Sequence, residues 1–287
     1  MILVTGAQGQ LGLSLKKLID PQHVIFTDLK ENGDIKELDI TSYEHVEQVI
    51  ADNKITTVIN CAGYTSVDSA ETNIDLAYRV NALGPRNIAL ASAKHGASVI
   101  QISSDYIFDG NNFKPYTETD KPHPLSVYGQ TKLEGELFVL KNAPNCVIIR
   151  SSWLYSEFGR NFVRSIIGLA RKQSEIKVIY DQIGTPTYAG DLAAIIEGLI
   201  PVVKNGVKKI YHYSDEGVCS WYGLAREVVS LKGINCEVLP TESQDYPGAA
   251  ARPHYSVLSK AKIKKEFGIK IPYWRDSLKN AIDKIDE

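Results

Sequence analysis

Short apolar runs alternate with helical patterns through the first half of the chain. The runs are rich in β-branched residues and too short to be helices. They are ILVT (2–5), HVIFTD (23–28), TTVINCAG (56–63), ASVIQISS (97–104) and CVIIRSS (146–152). The segments between them have helical apolar spacing, at 11–19, 41–52, roughly 70–95 and 126–142. Strands that are apolar throughout and separated by helices are typical of a parallel sheet covered on both faces. The sequence therefore predicts an α/β fold with a doubly wound parallel sheet.

The pattern loosens after residue 152. Helical stretches are predicted near 160–173, 191–203, 221–232 and 274–285, and strand-like runs at IKVIYD (176–181) and KIYHYS (209–214). We therefore expect residues 1–152 to form a nucleotide-binding core that carries the catalytic residues. Residues 153–287 are expected to form a smaller C-terminal α/β lobe that mainly binds substrate and is intertwined with the core. The boundary is soft, because IKVIYD could rejoin the main sheet.

Three glycines, Gly6, Gly9 and Gly12, separate the first predicted strand from the first predicted helix. Glycine lets the backbone turn tightly and approach a diphosphate, whose charge is then met by N–H groups at the helix N-terminus. The strand–turn–helix context therefore favours a Rossmann-type dinucleotide site over a glycine-rich turn without a ligand. Gln10 and Leu11, between the second and third glycines, are predicted to contact the same cofactor.

Further cofactor contacts are predicted where the next strands end, because open α/β sheets bind ligands at their carboxyl edge. Asp28 ends the second strand, where a carboxylate can accept hydrogen bonds from the ribose hydroxyls. This should disfavour a 2′-phosphate, so NADH is favoured over NADPH, although the nearby Lys30 softens the preference. Asp39 and Ile40 are placed near the adenine, with a turn or cap as the equal alternative for Asp39.

Small residues follow the third predicted strand at the same edge and let the chain pass close to a dinucleotide. The predicted contacts there are Ala62, Gly63, Tyr64 and Thr65.

Tyr128 and Lys132 lie four residues apart on a predicted helix, so their side chains share one face. Such a spacing is common and is most simply a tyrosine packed on a lysine stem. However, Ser104 and Asp105 end the preceding strand at the same edge as the glycine turn. Ser104, Tyr128 and Lys132 can therefore converge over one nicotinamide, with the last two also contacting the cofactor.

Together these motifs resemble the extended short-chain dehydrogenase/reductases, and most closely the family of dTDP-4-dehydrorhamnose reductases. The resemblance runs in order through GQLG, NCAGYTSVDSAE, ISSDYIFDG, YGQTKLEGE, RSSWLY, DQIGTPT and ARPHYS. Ser104 stands where that family usually has threonine, which keeps the hydroxyl and loses a methyl. The resemblance implies an NAD(P)H-dependent oxidoreductase of dTDP-rhamnose biosynthesis, which transfers hydride to C4 of dTDP-4-dehydro-6-deoxy-L-mannose and forms dTDP-L-rhamnose.

The residue chemistry fits this reaction, because a ketone reduced by hydride needs a proton donor. Tyr128 is the predicted donor. We expect the Lys132 ammonium to stabilise the phenolate, to lower the pKa of the phenol toward working pH, and to bond the nicotinamide ribose. Ser104 would donate a hydrogen bond to the carbonyl oxygen as charge grows there.

Substrate contacts follow from the same resemblance. Asp105 and Trp153 match sugar-contacting positions, with a flat indole face for the deoxysugar; the alternative for Trp153 is a core residue. Arg252, in a polar loop, could pair with the substrate diphosphate or form a surface salt bridge. Asn161 is either a substrate contact or a helix cap.

Composition excludes several other classes. The net charge of -2 and pI of about 6.3 give no basic field for nucleic acid or an anionic membrane. No apolar run is long enough to span a membrane, and the N-terminus does not resemble a signal peptide. The four cysteines are scattered, which favours free thiols in a reducing cytoplasm.

No metal is expected, because none of the six histidines has metal-ligand spacing. Some members of the resembled family dimerise through magnesium bound by interface glutamates. The corresponding position in the first helix is Ser14. We therefore expect a monomer or a weak homodimer without a metal bridge.

Two alternatives stay open. One is another nucleotide-sugar enzyme on the same scaffold, an epimerase or a dehydratase, although SSDY supplies one acid rather than the pair usual in dehydratases. The other is a non-catalytic subunit resembling the regulatory subunit of methionine adenosyltransferase. The intact Ser104, Tyr128 and Lys132 set argues against lost catalysis.

Overall fold

The computed structural model describes residues 1–245, 248 and 250–285. Within these residues the main sheet has seven parallel strands, in the order β11-β6-β5-β4-β1-β2-β3. Helices cover both faces of this sheet, and three two-stranded sheets lie outside it. The predicted Rossmann-type α/β fold is confirmed.

The strands are β1 (Ile2–Thr5), β2 (Val24–Asp28), β3 (Lys36–Glu37), β4 (Thr57–Asn60), β5 (Ser98–Ser104), β6 (Cys146–Ser151), β7 (Leu154–Tyr155), β8 (Glu175–Ile179), β9 (Ile183–Gly184), β10 (Thr187–Tyr188), β11 (Lys208–His212), β12 (Cys219–Ser220) and β13 (Glu237–Thr241). The α-helices are α1 (Gln10–Lys16), α2 (Tyr43–Asp52), α3 (Val67–Ala70), α4 (Ile74–Tyr78), α5 (Gly84–His95), α6 (Val127–Asn142), α7 (Phe162–Ala170), α8 (Ala189–Leu199), α9 (Trp221–Leu231), α10 (Ala261–Phe267) and α11 (Trp274–Ile282). Short 3₁₀ turns lie at Pro21–His23, Asp105–Ile107, Ile200–Val202 and Ser243–Asp245, and a π-helical turn at Arg79–Leu83.

The register of the central strands brings their carboxyl ends to one edge of the sheet. Thr5 of β1 lies beside Asn60 of β4, and Asn60 lies beside Gln101 of β5. At the end of β5, Ser104 lies beside Ser151 of β6. The interior of these strands is fully buried because helices pack on both faces, which explains their continuous apolar sequences.

Two apolar cores lie against the main sheet and a third fills the C-terminal part. One sheet core already includes side chains of α8, β11 and α10, which come from the second half of the chain. The third core is built from α7, α9, α11, β8 and β13. The division at residue 152 stays a prediction.

The two strand-like runs of the second half pair in different places. KIYHYS supplies β11, which joins the edge of the main sheet beside β6. IKVIYD supplies β8, which pairs with β13 outside the main sheet. The suggestion that IKVIYD could rejoin the main sheet is therefore wrong, because strand pairing depends on the path of distant segments.

The helical stretch predicted over about 70–95 is divided. The structure has α3 and α4, then the π-helical turn at Arg79–Leu83, and then α5. The side chain of Asn81, within that turn, bonds the backbone of Tyr64. Wider π-helical turns often mark functional sites.

Among the residues that the structure describes, none of the helices has both the length and the apolar character needed to cross a membrane.

Candidate active site

A cleft of about 880 Å³ opens along the carboxyl edge of the main sheet. It is lined by all of the sequence-predicted site residues except Arg252. Those lining residues are Gly6, Gly9, Gln10, Leu11, Gly12, Asp28, Asp39, Ile40, Ala62, Gly63, Tyr64, Thr65, Ser104, Asp105, Tyr128, Lys132, Trp153 and Asn161. Parallel strands bring these residues together because their carboxyl ends meet at one edge.

The glycine turn is packed too closely for side chains at two of its three positions. Gly6 has a positive φ of 67°, and a Cβ there would lie 2.5 Å from the Ala62 backbone nitrogen. A Cβ on Gly12 would lie 2.5 Å from the Gly6 carbonyl oxygen. Gly9 has an ordinary extended backbone, and a Cβ there would meet that oxygen at 3.2 Å. Gly6 and Gly12 are therefore required by the turn itself, whereas the open side of Gly9 faces the cleft.

The Asp28 carboxylate is held by the backbone at the end of β2. Its Oδ2 accepts a hydrogen bond from the Gln8 N–H at 2.8 Å, and its Oδ1 accepts one from the Leu29 N–H at 2.8 Å. Gln8 also donates through its side chain to the Lys30 carbonyl at 2.6 Å. Because each carboxylate oxygen has a second acceptor position, the group can still accept from a ligand.

Asp39 forms the local turn that was one of its two expected roles. Its Oδ1 accepts from the Thr41 N–H at 2.8 Å, while the residue also lines the cleft. The neighbouring Ile40 is 5% exposed and contributes to a sheet core. Its carbonyl accepts from the side chain of Asn87 at 3.1 Å.

The loop after β4 is fixed by Asn81. This side chain accepts from the Tyr64 N–H at 2.8 Å and donates to the Tyr64 carbonyl at 3.1 Å. Gly63 lies between Asn81 and the Lys132 ammonium, which are 3.3 Å and 3.8 Å from the position of a Cβ there. Asn81 also donates to the Thr131 hydroxyl at 3.2 Å, so the π-helical turn joins the loop after β4 to α6.

Ser104, Tyr128 and Lys132 lie together on the cleft wall, and all three are buried. The Ser104 hydroxyl donates to Asp105 at 3.1 Å and accepts from the Tyr106 N–H at 3.2 Å. The Lys132 ammonium donates to the Ile102 carbonyl at 2.7 Å. The arrangement places a hydroxyl, a phenol and an ammonium on the wall of the cleft.

Burial sets the pKa values of the pair on α6. Desolvation raises the pKa of Tyr128 to about 12, partly offset by a hydrogen bond with Ser104. Desolvation lowers the pKa of Lys132 to about 8, opposed by the negative charge of Glu136. The expectation that the pKa of Tyr128 is lowered toward working pH is therefore wrong for this structure, because desolvation outweighs the other effects. The phenol is protonated at neutral pH, as a proton donor requires.

Asp105 is 2% exposed and lies beside Ser104. Burial raises the pKa of its carboxyl group to about 6, against hydrogen bonds from Ser256 and Ser104. Its charge therefore changes close to neutral pH.

Trp153 lines the cleft in a strained backbone conformation, with φ at 49°. Trp221 stacks on its indole with ring centroids 3.5 Å apart and an angle of 8°. A Cβ on Gly184 would lie 2.5 Å from the same ring. Trp221 therefore covers one face of the indole, and the sugar contact stays a prediction for the cleft-lining side of the ring.

Asn161 and Arg252 adopt the structural roles that were given as their alternatives. Asn161 caps α7 by accepting from the Arg164 N–H at 3.0 Å, and it also donates to Gln10 at 3.0 Å. Arg252 lies outside the cleft lining and pairs with Asp68 at 2.6 Å.

Sequence reasoning missed several residues of this site. Trp221 was recognised only as the start of a helix, since no local pattern shows that it stacks on Trp153. Gln8, between two of the glycines, holds Asp28 through its backbone, which has no side-chain signature.

Comparison with known proteins identifies the family of the chain. The model of the RmlD substrate binding domain family matches residues 1–287. The dTDP-4-dehydrorhamnose reductase of Aggregatibacter actinomycetemcomitans is 40% identical, over 97% of each chain. The crystal structure of a dTDP-4-dehydrorhamnose reductase from Clostridium acetobutylicum superimposes with a TM-score of 0.92 at 42% identity, covering 98% of each chain.

A dTDP-4-dehydrorhamnose reductase from Bacillus anthracis, solved in complex with NADP, also has a TM-score of 0.92. It is 38% identical, with 99% of this chain and 98% of that chain covered. The chain therefore belongs to the RmlD substrate binding domain family, the family of the dTDP-4-dehydrorhamnose reductases.

Proposed function

We propose that the protein is an NAD(P)H-dependent dTDP-4-dehydrorhamnose reductase of dTDP-rhamnose biosynthesis. Its substrate is dTDP-4-dehydro-6-deoxy-L-mannose, and reduction at C4 gives dTDP-L-rhamnose. The observation that supports this most is the convergence of Ser104, Tyr128 and Lys132 on a cleft that begins at the glycine turn. Family membership over the whole chain supports the same reaction.

The residues present fit a nicotinamide dinucleotide. At Gly9 the backbone of the turn faces the cleft without a side chain, which suits a diphosphate. Asp28 is proposed to accept from the ribose hydroxyls, and the loop from Ala62 to Thr65 to lie along the dinucleotide. When bound, the reduced cofactor supplies the hydride.

The chain supplies the proton and the stabilisation of charge. Tyr128 donates its phenolic proton to the C4 oxygen, which becomes the alcohol. Ser104 donates a hydrogen bond to that oxygen while negative charge develops on it. Lys132 provides the positive charge that stabilises the resulting phenolate, in a buried site where such charges interact strongly. Asp105, Trp153 and Asn161 are proposed to contact the sugar.

The direct test is to mix the purified protein with NADH and dTDP-4-dehydro-6-deoxy-L-mannose. We expect loss of NADH absorbance in equal amount to the dTDP-L-rhamnose formed, identified by mass spectrometry. A 4,6-dehydratase, a 4-epimerase or a non-catalytic regulatory subunit would consume no NADH, so an unchanged absorbance would contradict the proposal.

The proposed preference for NADH depends on Asp28. The variant Asp28→Ala should lose NADH efficiency and gain relative NADPH efficiency, because the carboxylate accepts from a free 2′-hydroxyl and repels a 2′-phosphate. The measurement is the ratio of kcat/KM for NADH to that for NADPH. Asp34→Ala, which removes an exposed acid from the following loop, is the matched control. An unaltered ratio in Asp28→Ala would remove this residue from cofactor selection.

Arg252 is proposed to bind the substrate diphosphate, although in this structure it pairs with Asp68. The phosphate must then displace that carboxylate. Partly exposed pairs of this kind contribute about 0.2–1 kcal/mol, so Asp68→Asn should tighten dTDP binding by roughly 1.5- to 5-fold. Arg252→Gln should weaken it. Calorimetric titration with dTDP measures both, with the exposed Asp75→Asn as control. Weaker binding by Asp68→Asn would show that Asp68 assists the nucleotide rather than competing with it.

The protein is proposed to be a monomer or a weak homodimer without a metal bridge. Ser14, buried on α1, offers no carboxylate at the position considered. Sedimentation with and without a chelator tests this, and a dimer that dissociates on chelation would contradict it.

A further inference from the structure

Glu71 is a residue of the NCAGYTSVDSAE stretch that the proposed reaction does not use. It follows directly after α3 and is half-buried. Its Oε1 accepts a hydrogen bond from the Val127 N–H at 2.9 Å. Val127 is the first residue of α6 and directly precedes Tyr128. A carboxylate from one element is therefore bonded to the backbone beside the proposed proton donor.

The first N–H groups of a helix have no partner within the helix, so side chains often cap them. In α6 the cap Ser126 accepts from the Gly129 N–H at 3.2 Å. Ser126 directly precedes α6 in the chain, so its bond caps the helix without tying it to another element. Glu71 comes from 56 residues earlier in the chain. Its bond therefore fixes where α6 begins relative to α3, and a negative group at a helix N-terminus is also favoured by the helix dipole.

The same segment forms an apolar wall around Tyr128. Ala70, Ala77 and Val67 pack with Tyr128 in one buried cluster. The ring of Tyr106 meets Tyr128 edge-on, with centroids 5.5 Å apart. A shift of α6 against this wall would move the phenol away from its packed position.

The first turn of α6 is also packed closely on its other side. A Cβ on Gly129 would lie 2.2 Å from the Tyr106 carbonyl oxygen. Tyr106 in turn donates its backbone N–H to Ser104 at 3.2 Å. The position of α6 therefore determines the position of Tyr128 relative to Ser104.

We propose that Glu71 is a positioning residue for Tyr128, which anchors the first turn of α6 to α3 through its bond to Val127. This rests on the proposed role of Tyr128 as proton donor. A misplacement of about 1 Å in a catalytic group can cost about 10²-fold in rate. The anchor therefore acts on turnover rather than on binding of either ligand.

The test compares Glu71→Ala with Glu71→Gln, which keeps a side-chain oxygen able to accept from Val127. Glu71→Ala should lower kcat by at least about tenfold, with KM and the NADH dissociation constant within about twofold of the wild type. Glu71→Gln should retain most of the wild-type kcat. Glu134→Ala, on the second turn of α6, is the control for loss of an acid near the site.

Hydrogen exchange measured by mass spectrometry reports the anchor without turnover. Peptides that cover residues 126–130 should exchange faster in Glu71→Ala and at the wild-type rate in Glu71→Gln. This readout separates a wrong anchor from a wrong reaction, because it holds even if the keto-sugar is not reduced. Unchanged exchange in Glu71→Ala, unchanged kcat alongside a lower Tm, or equal losses in both variants would each overturn the proposal.

Discussion

Tyr128→Phe should lower kcat by at least about 10²-fold, because a positioned general acid contributes roughly 10²- to 10⁴-fold. The variant keeps the ring that packs with Ala70 and Ala77, so the fold and the cofactor site should survive. KM should move little, since the lost interaction strengthens mainly in the transition state. Turnover is measured with the dTDP-keto-sugar and NADH. The control is Tyr211→Phe, whose buried ring lies outside the cleft and whose hydroxyl bonds Glu266.

The pH dependence tests Lys132 in the same experiment. The pKa of its ammonium, lowered by burial to about 8, predicts that the wild-type rate falls as pH rises through about 8, where the charge is lost. In Lys132→Met that fall should be absent and the rate lower at every pH. The next basic group is the Tyr128 phenol, whose pKa burial raises to about 12, so the basic limb moves upward. Near-full turnover by Tyr128→Phe would remove the phenol from the mechanism. Tyr128 and Lys132 would then be neighbours that only pack together on one face of α6.

Gly9→Val should abolish measurable NADH binding while the protein stays folded. A Cβ at Gly9 meets only the Gly6 carbonyl oxygen, at 3.2 Å, and the backbone there has a φ of -75° that any residue can adopt. The valine methyl groups would instead occupy the space proposed for the diphosphate. The corresponding change at Gly6 or Gly12 would place a Cβ 2.5 Å from backbone atoms, so lost binding there would not be distinguished from misfolding.

Calorimetric titration with NADH measures the effect, and the melting temperature shows whether the fold is kept. Gly168→Val, on α7, is the matched control, because a Cβ there meets no atom within 4 Å. Wild-type NADH affinity in Gly9→Val would show that the glycine turn does not hold the cofactor.

Local patterns were sufficient for much of the fold. The strands β1, β2, β4, β5 and β6 were predicted close to their observed bounds because each is a continuous apolar run buried on both faces. The divided helix over about 70–95 was not predicted, because the π-helical turn accompanies a contact between Asn81 and Tyr64. The α10 helix was missed, since its seven residues give little periodicity.

Contacts between residues far apart in the chain could not be predicted from local sequence patterns. Arg252 was considered for a diphosphate, yet its partner in the structure is Asp68, 184 residues earlier. The stacking of Trp221 on Trp153, 68 residues earlier, was likewise not predicted. In each case the partner is set by how separate elements pack, which single-residue chemistry does not specify.

The sequence by itself determined the parallel sheet, the glycine turn and the edge at which Ser104, Tyr128 and Lys132 meet. These follow from local periodicity, from backbone freedom at glycine and from the common direction of parallel strands. Only the tertiary structure decided the pKa of each group, because desolvation depends on everything that packs around it. The same holds for the Glu71 bond to Val127, since it joins two elements that become neighbours only when the chain is folded.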